Sequence, residues 1–212
     1  MTRRKPITAA ELLAWQKASG LYDELEARRA RDDARRRIRE LADRRASAPL
    51  LADLRSAGYE VSSVWDLVNI DEAYPDALPV LVQHLNGPYP PDVREGIARA
   101  LAVRRAIFAW DTIRDAYLSE REKNVKGGLA VALGGMVDRE HLPELIQLLS
   151  DTRNGPSRLH MLRGLQRLRD ARAASTLEAL ASDADLHKQI AIILHRRRLR
   201  RRRAGGDGAR DT

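Results

Sequence analysis

Few residues of this chain are of types and spacings suited to chemistry, and their placement narrows what that chemistry is. The five histidines, His84, His141, His160, His187 and His195, form no His-Glu-x-x-His pattern, and cysteine is absent. Zinc-ligand spacing, thiolate nucleophiles and disulfides therefore drop out. Gly127-Gly128 and Gly134-Gly135 are not followed by Gly-Lys-Ser/Thr, so they read as close-packing positions of a helix rather than a phosphate loop. No nucleophile, histidine and carboxylate can be grouped from chain order alone. Neither a metal nor a cofactor is expected. The strongest chemical feature is a basic run, Arg196, Arg197, Arg198, Arg200, Arg201, Arg202 and Arg203. Such a run suits phosphates, with binding that falls steeply with salt. No aromatic lies near it for base stacking, so any nucleic-acid contact it makes is expected to ignore sequence.

The run also distorts the global charge. The 212 residues carry a formal +8, divided as +5 over residues 1–50 (13 Lys+Arg, 8 Asp+Glu), −3 over 51–194 (17 and 20) and +6 over 195–212 (8 and 2). The high isoelectric point thus belongs to the two ends, and the middle is slightly acidic. No apolar run reaches the ~18 residues of a membrane span. Pro6–Ala14 is too mixed for a secretory core segment, so a cytoplasmic protein is expected. The usage of Arg, Ala, Leu and Asp over Lys and Asn suits a GC-rich bacterial genome.

The elements that would position these residues are helices. Thr8 and Glu11 form a capping-box pattern ahead of Leu12, Leu13 and Trp15, and Gly20 interrupts. A longer helix is predicted over about 21–45. It has no large apolar side chain between Glu26 and Arg37, and Glu24/Arg28, Asp32/Arg36, Asp33/Arg37 and Glu40/Arg44 stand at i,i+4. Each such pair adds roughly 0.2–0.5 kcal/mol, which describes a solvated arm rather than a coiled coil.

Beyond Ser47 a repeat sets in. The segments starting at Val93, Val125, Ser157 and Leu186 align at offsets of 32, 32 and 29 residues, with apolar or small residues at relative positions 1, 5, 8 and 9. Ser157 is the polar exception. Each is preceded by an amphipathic stretch: 77–85, 106–117, 142–149 and 171–180. Turn signals separate them, as in Asn154-Gly155-Pro156 and Asp183-Ala184-Asp185. A degenerate fifth pair, 50–56 with 62–68, precedes them. Two helices per unit, repeated, must stack to bury their apolar faces.

Tyr74-Pro75-Asp76-Ala77-Leu78-Pro79-Val80-Leu81, and Asp92-Val93-Arg94 leading to Ala100-Leu101, resemble the first and second helices of the HEAT repeat family, in a short bacterial form similar to the repeats of phycobilin lyases. The resemblance covers about 74–194 and implies protein scaffolding. The expected fold is all-α, a right-handed α-solenoid of four to five HEAT-like hairpins. An N-terminal helical arm (1–47) precedes the repeat domain (48–195), and an Arg-rich tail expected to be disordered (196–212) follows it. Trp110-Asp111, with Asp115 near, bears comparison with HEAT-like DNA glycosylases, which place an aspartate among aromatics; one Trp-Asp pair is a poor match.

The second helices carry the candidate partner surface. Corresponding positions form the rows Arg99, Val131, Arg163, Ile192; Glu95, Gly127, Leu159, Lys188; and Ala98, Ala130, Leu162, Ala191. Arg94, Lys126, Arg158 and His187 mark the helix starts. These basic residues either pair with turn carboxylates such as Asp92, Asp138 or Asp170, or recognise acidic groups. Arg94, Arg99, Lys126, Arg158, Leu159, Leu162, Arg163 and Lys188 are the expected contacts for a protein partner. The expected function is a non-enzymatic scaffold or adaptor, of immunity type or regulatory. The alternatives are a nucleic-acid-associated protein using the Arg run and a HEAT-like glycosylase.

Overall fold

The computed structural model describes residues 8–168 and 170–206, the side chains of 14 and 200–206 excepted. Among the described residues every regular element is a helix. The chain divides into two units, Met1–Arg45 and Ala46–Thr212.

In the first unit the Thr8 hydroxyl accepts from the Glu11 amide at 3.2 Å, and the Glu11 carboxylate accepts from the Thr8 amide at 2.9 Å. This reciprocal cap starts α1 (Ala9–Ala18), and Gly20 at φ 75° lets the chain turn into α2 (Leu21–Ala46). α2 buries no residue. Its ion pairs include Glu26 with Arg29 at 2.8 Å and Arg28 with Asp32 at 4.0 Å. Arg28 thus turns toward Asp32 rather than the expected Glu24. Solvated pairs of this kind differ by tenths of a kcal/mol, so sequence spacing does not select among them.

The second unit opens with α3 (Ala48–Ser56), which has Pro49 in its first turn and ends before Gly58 at φ 94°. α4 (Val64–Asn69) is capped by Ser63 and Asp66. There follow α5 (Ala77–His84), α6 (Pro91–Ala100), a 3-10 segment Arg104–Ala109, α7 (Trp110–Ser119), α8 (Lys123–Met136) and α9 (Leu142–Ser150). A second 3-10 segment, Thr152–Met161, precedes α10 (Leu162–Arg167), α11 (Ala171–Ala179) and α12 (His187–Gly206). The helix pairs fall where the repeat placed them. Unit three differs: its second helix begins as 3-10 turns, because Gly155 sits at φ 62° and Pro156 has no amide to donate. α12 runs through the basic run expected to be disordered as far as Gly206; residues 207–212 lie outside the described chain.

Successive second helices pack on one another: α4 on α6, α6 on α8, and α8 on the Thr152–Met161 segment and α10. Among the first helices, α3 packs against α5 and α9 against α11. One apolar core runs through them, from Leu50 and Leu54 through Ile97, Leu129 and Leu133 to Leu177 and Ile190. Glycines set the spacing between second helices. A Cβ on Gly96 would meet Val64 at 2.5 Å, one on Gly128 the Glu95 carbonyl at 3.0 Å, and one on Gly164 Val137 at 2.7 Å. Of the four glycines expected to allow close packing, Gly128, Gly134 and Gly135 do stand against neighbouring backbone, whereas a Cβ on Gly127 would meet only the His160 ring at 3.7 Å.

Candidate functional site: an arginine-lined cavity on the second helices

Of the basic residues at the starts of the second helices, Arg94 and Arg158 turn to acids within the fold. Arg94 binds Glu120. Glu120 also accepts from the amides of Arg121 and Glu122. Burial raises its pKa, but those amides and the Arg94 charge prevail and hold it below the ordinary value. Arg158 goes further. Nε donates to the Gly155 carbonyl (3.0 Å). Nη1 donates to the Leu149 carbonyl (2.9 Å) and Asp183 (2.8 Å), and Nη2 to Asp183 and Asp185 (3.1 Å each). All five guanidinium donors are used, with 1% of the side chain exposed. Burial opposes the charge of Arg158, yet the two aspartates raise its pKa above the ordinary value. Arg158 is therefore interior and is withdrawn from the partner surface. Leu162, 1% exposed, is withdrawn for the same reason, as a core side chain of α10.

The acids that Arg94 and Arg158 meet are not the expected ones. Glu120 and Asp183 stand 26 and 25 residues after their arginines, in the turn ahead of the next second helix. Asp92 instead accepts from the Trp65 indole at 3.0 Å, Asp138 pairs with His141 at 2.8 Å, and Asp170 with Arg172 at 2.8 Å. Lys126 forms no ion pair among the described residues; its ammonium lies 4.8 Å from the Tyr117 ring centroid. His187 points Nδ1 at the carbonyls of Asp183 and Ala184.

The row 32 residues apart behaves differently. Arg99, Val131 and Arg163 line one cavity of about 530 Å³, together with Arg104 and Arg105. Its lining includes the aliphatic Leu67, Leu78 and Val131 and the carboxylates Asp71 and Glu72. Arg99 is held by Glu95 at 2.7 Å. Arg104, Arg105 and Arg163 are exposed and form no ion pair among the described residues. Arg167, on α10 with Arg163, donates to the Val137 carbonyl. Packing around its guanidinium and the charges of Arg104 and Arg163 lower its pKa, so the cluster is mutually repulsive. A second cavity, of about 440 Å³, has Lys126, Gly127, Leu159 and His160 among its walls, with Arg121 and Lys123 at its edge. Packing around the His160 ring and the Arg99 charge lower its pKa against Glu95, which keeps it neutral near pH 7.

Lys188 is exposed and lines neither cavity. Arg196 and Arg198 are exposed on α12, whereas Arg197 donates to the Leu165 carbonyl at 2.9 Å and ties α12 to the end of α10. The side chains of Arg200, Arg201, Arg202 and Arg203 lie outside the described ones. Trp110 is buried, donates to Glu144 at 2.9 Å and packs against His141 with centroids 4.9 Å apart. Asp111 and Asp115 point to solvent and bind Arg114. The Trp-Asp pair is thus divided between the interior and an exposed ion cluster.

Sequence reasoning missed Arg104, Arg105, Asp71 and Glu72. A signal for the two arginines was present: no carboxylate occurs from Ala100 to Ala109, so neither has an acidic neighbour within four residues along the chain. No family model matches the chain, and no curated protein or solved structure matches it. Among the described residues no helix is long and apolar enough to cross a membrane, and no three His, Asp or Glu side chains gather as metal ligands do.

Proposed function

We propose that this protein is a non-enzymatic interaction module built on HEAT-like helical hairpins, and that it binds another protein in the cytoplasm as a scaffold, adaptor or immunity-type regulator. One observation carries the reading. Arg104, Arg105 and Arg163, with no ion-pair partner among the described residues, share a cavity with aliphatic side chains, although residues 51–194 are net acidic. Cations without ion-pair partners among the described residues, beside apolar surface, suit a partner that brings acidic and apolar groups together. The residues with the strongest claim to chemistry are occupied structurally, Trp110 by Glu144 and Asp111 by Arg114, which supports a binding role over a glycosylase. The contact set becomes Arg99, Arg104, Arg105 and Arg163, with Lys126 and Leu159 at the second cavity. The test is affinity capture of tagged full-length protein from its host, with and without nuclease. The expected result is a stoichiometric protein partner that survives nuclease. Capture that vanishes with nuclease would refute the reading.

A second reading, association with nucleic acid, is supported by the regular helical placement of Arg196 and Arg198 on α12 and by the Arg197 tie to α10. It calls for affinity that falls steeply with salt and ignores sequence.

A further inference from the structure

The arginine-lined cavity has a chemistry narrower than a general protein contact, and this inference rests on the reading just given. Three features stand together. The cations are guanidinium groups, whose planar forks match carboxylates in two-point hydrogen bonds. Arg104, Arg105 and Arg163 reach the cavity from two elements, the Arg104–Ala109 segment and α10, and none of them forms an ion pair among the described residues, although Asp71 and Glu72 line the same cavity. Of its aliphatic lining, Leu67 and Leu78 are buried and Val131 is half-buried, so these side chains offer apolar contact but no hydrogen bond. In the same lining Asp71 and Glu72 are exposed and have no ion pair among the described residues. They can accept hydrogen bonds from a ligand that also carries N–H groups.

We propose that this cavity seats an extended segment of the partner protein in which a carboxylate side chain stands beside an aliphatic one. The carboxylate would bridge Arg104 and Arg163, the aliphatic group would cover Val131, and backbone N–H groups would face Asp71 and Glu72. A nucleic-acid strand fits this arrangement poorly. Its phosphates would meet the two carboxylates, and the one aromatic in the wall, Tyr74, is buried with its hydroxyl donating to the Ala100 carbonyl at 2.8 Å, so it offers no face for stacking. The lowered pKa of Arg167 agrees with this: burial, Arg104 and Arg163 all disfavour its charge, and a bound carboxylate would relieve the repulsion.

The experiment is fluorescence anisotropy on the full-length protein with four labelled probes: a decapeptide alternating aspartate and leucine, its lysine-leucine and aspartate-serine counterparts, and an oligothymidylate. The aspartate-leucine peptide is expected to bind most tightly, and R104E/R163E to weaken it by about tenfold or more, since two charge-assisted contacts are lost. R55E/R139E, at positions that line neither cavity, is expected to leave it within about twofold. Both pairs of substitutions lie at exposed positions, and circular dichroism checks that they fold. Equal binding of the aspartate-serine peptide overturns the aliphatic requirement. Undetectable binding of the aspartate-leucine peptide, or unchanged binding in R104E/R163E, overturns the proposal. An oligothymidylate that binds more tightly than any peptide, and is lost in R104E/R163E, overturns it in favour of nucleic acid. Affinity capture separates the two levels. A partner retained equally by R104E/R163E sinks the cavity assignment but leaves the protein-binding reading intact, whereas capture of no protein sinks the reading itself.

Discussion

Two glycines of α8, eight residues apart, should respond to alanine with opposite signs. An alanine Cβ at Gly135 would lie 2.4 Å from the Ala102 carbonyl oxygen and 2.8 Å from its carbon. Those are backbone atoms at the end of the neighbouring second helix, and they cannot rotate away. At Gly127 the nearest atoms belong to the His160 ring at 3.7 and 3.8 Å, an ordinary contact. Intrinsic preference favours alanine over glycine in a helix interior by about 0.8–1 kcal/mol. Gly127→Ala should therefore stabilise by up to that amount. Gly135→Ala gains less, because it is next to the last residue of α8, and it must push α8 from the Ala102 turn at an overpacking cost of about 1–3 kcal/mol. For a unit of this size ~1 kcal/mol moves the melting temperature by about 2–4 °C. Thermal unfolding followed by circular dichroism should show Gly127→Ala melting a few degrees higher and Gly135→Ala several degrees lower. Shifts of the same sign would refute the claim that glycines set the spacing between second helices.

Asp183→Asn should cost about 3 kcal/mol, because it strips the buried Arg158 of its principal counter-charge while Asp185 remains; urea denaturation at pH 7 measures it. The Arg158 hydrogen bond, ahead of the amides of Asp185 and Leu186, holds the Asp183 pKa below its ordinary value. Its stabilisation is thus complete above the unfolded value of about 3.9 and is lost as pH falls through the lower folded value, so the wild type should lose stability over that acid window and the variant's curve should be flatter there. Leu129→Ala, at a core position 1% exposed, should lower stability by about 2–5 kcal/mol, against little change for Arg198→Ala; equal small effects in calorimetry would contradict the core assignment. Asp32→Lys with Asp33→Lys should leave the unfolding of the second unit unchanged and cost only tenths of a kcal/mol in α2 helicity, and a large cooperative loss would be inconsistent with a solvated helix. Removing 196–212 takes the net charge from +8 to +2 by deleting 8 arginines and 2 aspartates; duplex DNA binding with a log–log salt slope of about −4 to −5 should disappear while the fold persists, and binding retained by the shortened chain would move the nucleic-acid surface into the repeats.

What the sequence by itself determined is local or periodic. Helix starts were legible at Thr8, where a hydroxyl and a carboxylate three residues apart can cap only their own turn, and helix ends at Gly20 and Gly58, where φ is positive. The repeat offset of 32 residues also placed Arg99, Val131 and Arg163 on one row, and they do share a cavity, because equal offsets on stacked helices return each side chain to the same face. Tertiary structure decided which charges are free. Arg158 and Arg163 are five residues apart and identical in type, yet one has spent all five donors inside the fold and the other stands open to solvent. The difference lies in Asp183 and Asp185, about 25 residues away, which the packing of α12 brings beneath Arg158. Arg104 and Arg105 joined the site by the same kind of long-range placement, through a 3-10 segment outside the repeat's alignment. Asp71 and Glu72 came from the chain between α4 and α5. Periodicity registers the face on which a residue sits, because that depends on the helix alone; the partner it meets there depends on which distant turn packs against it.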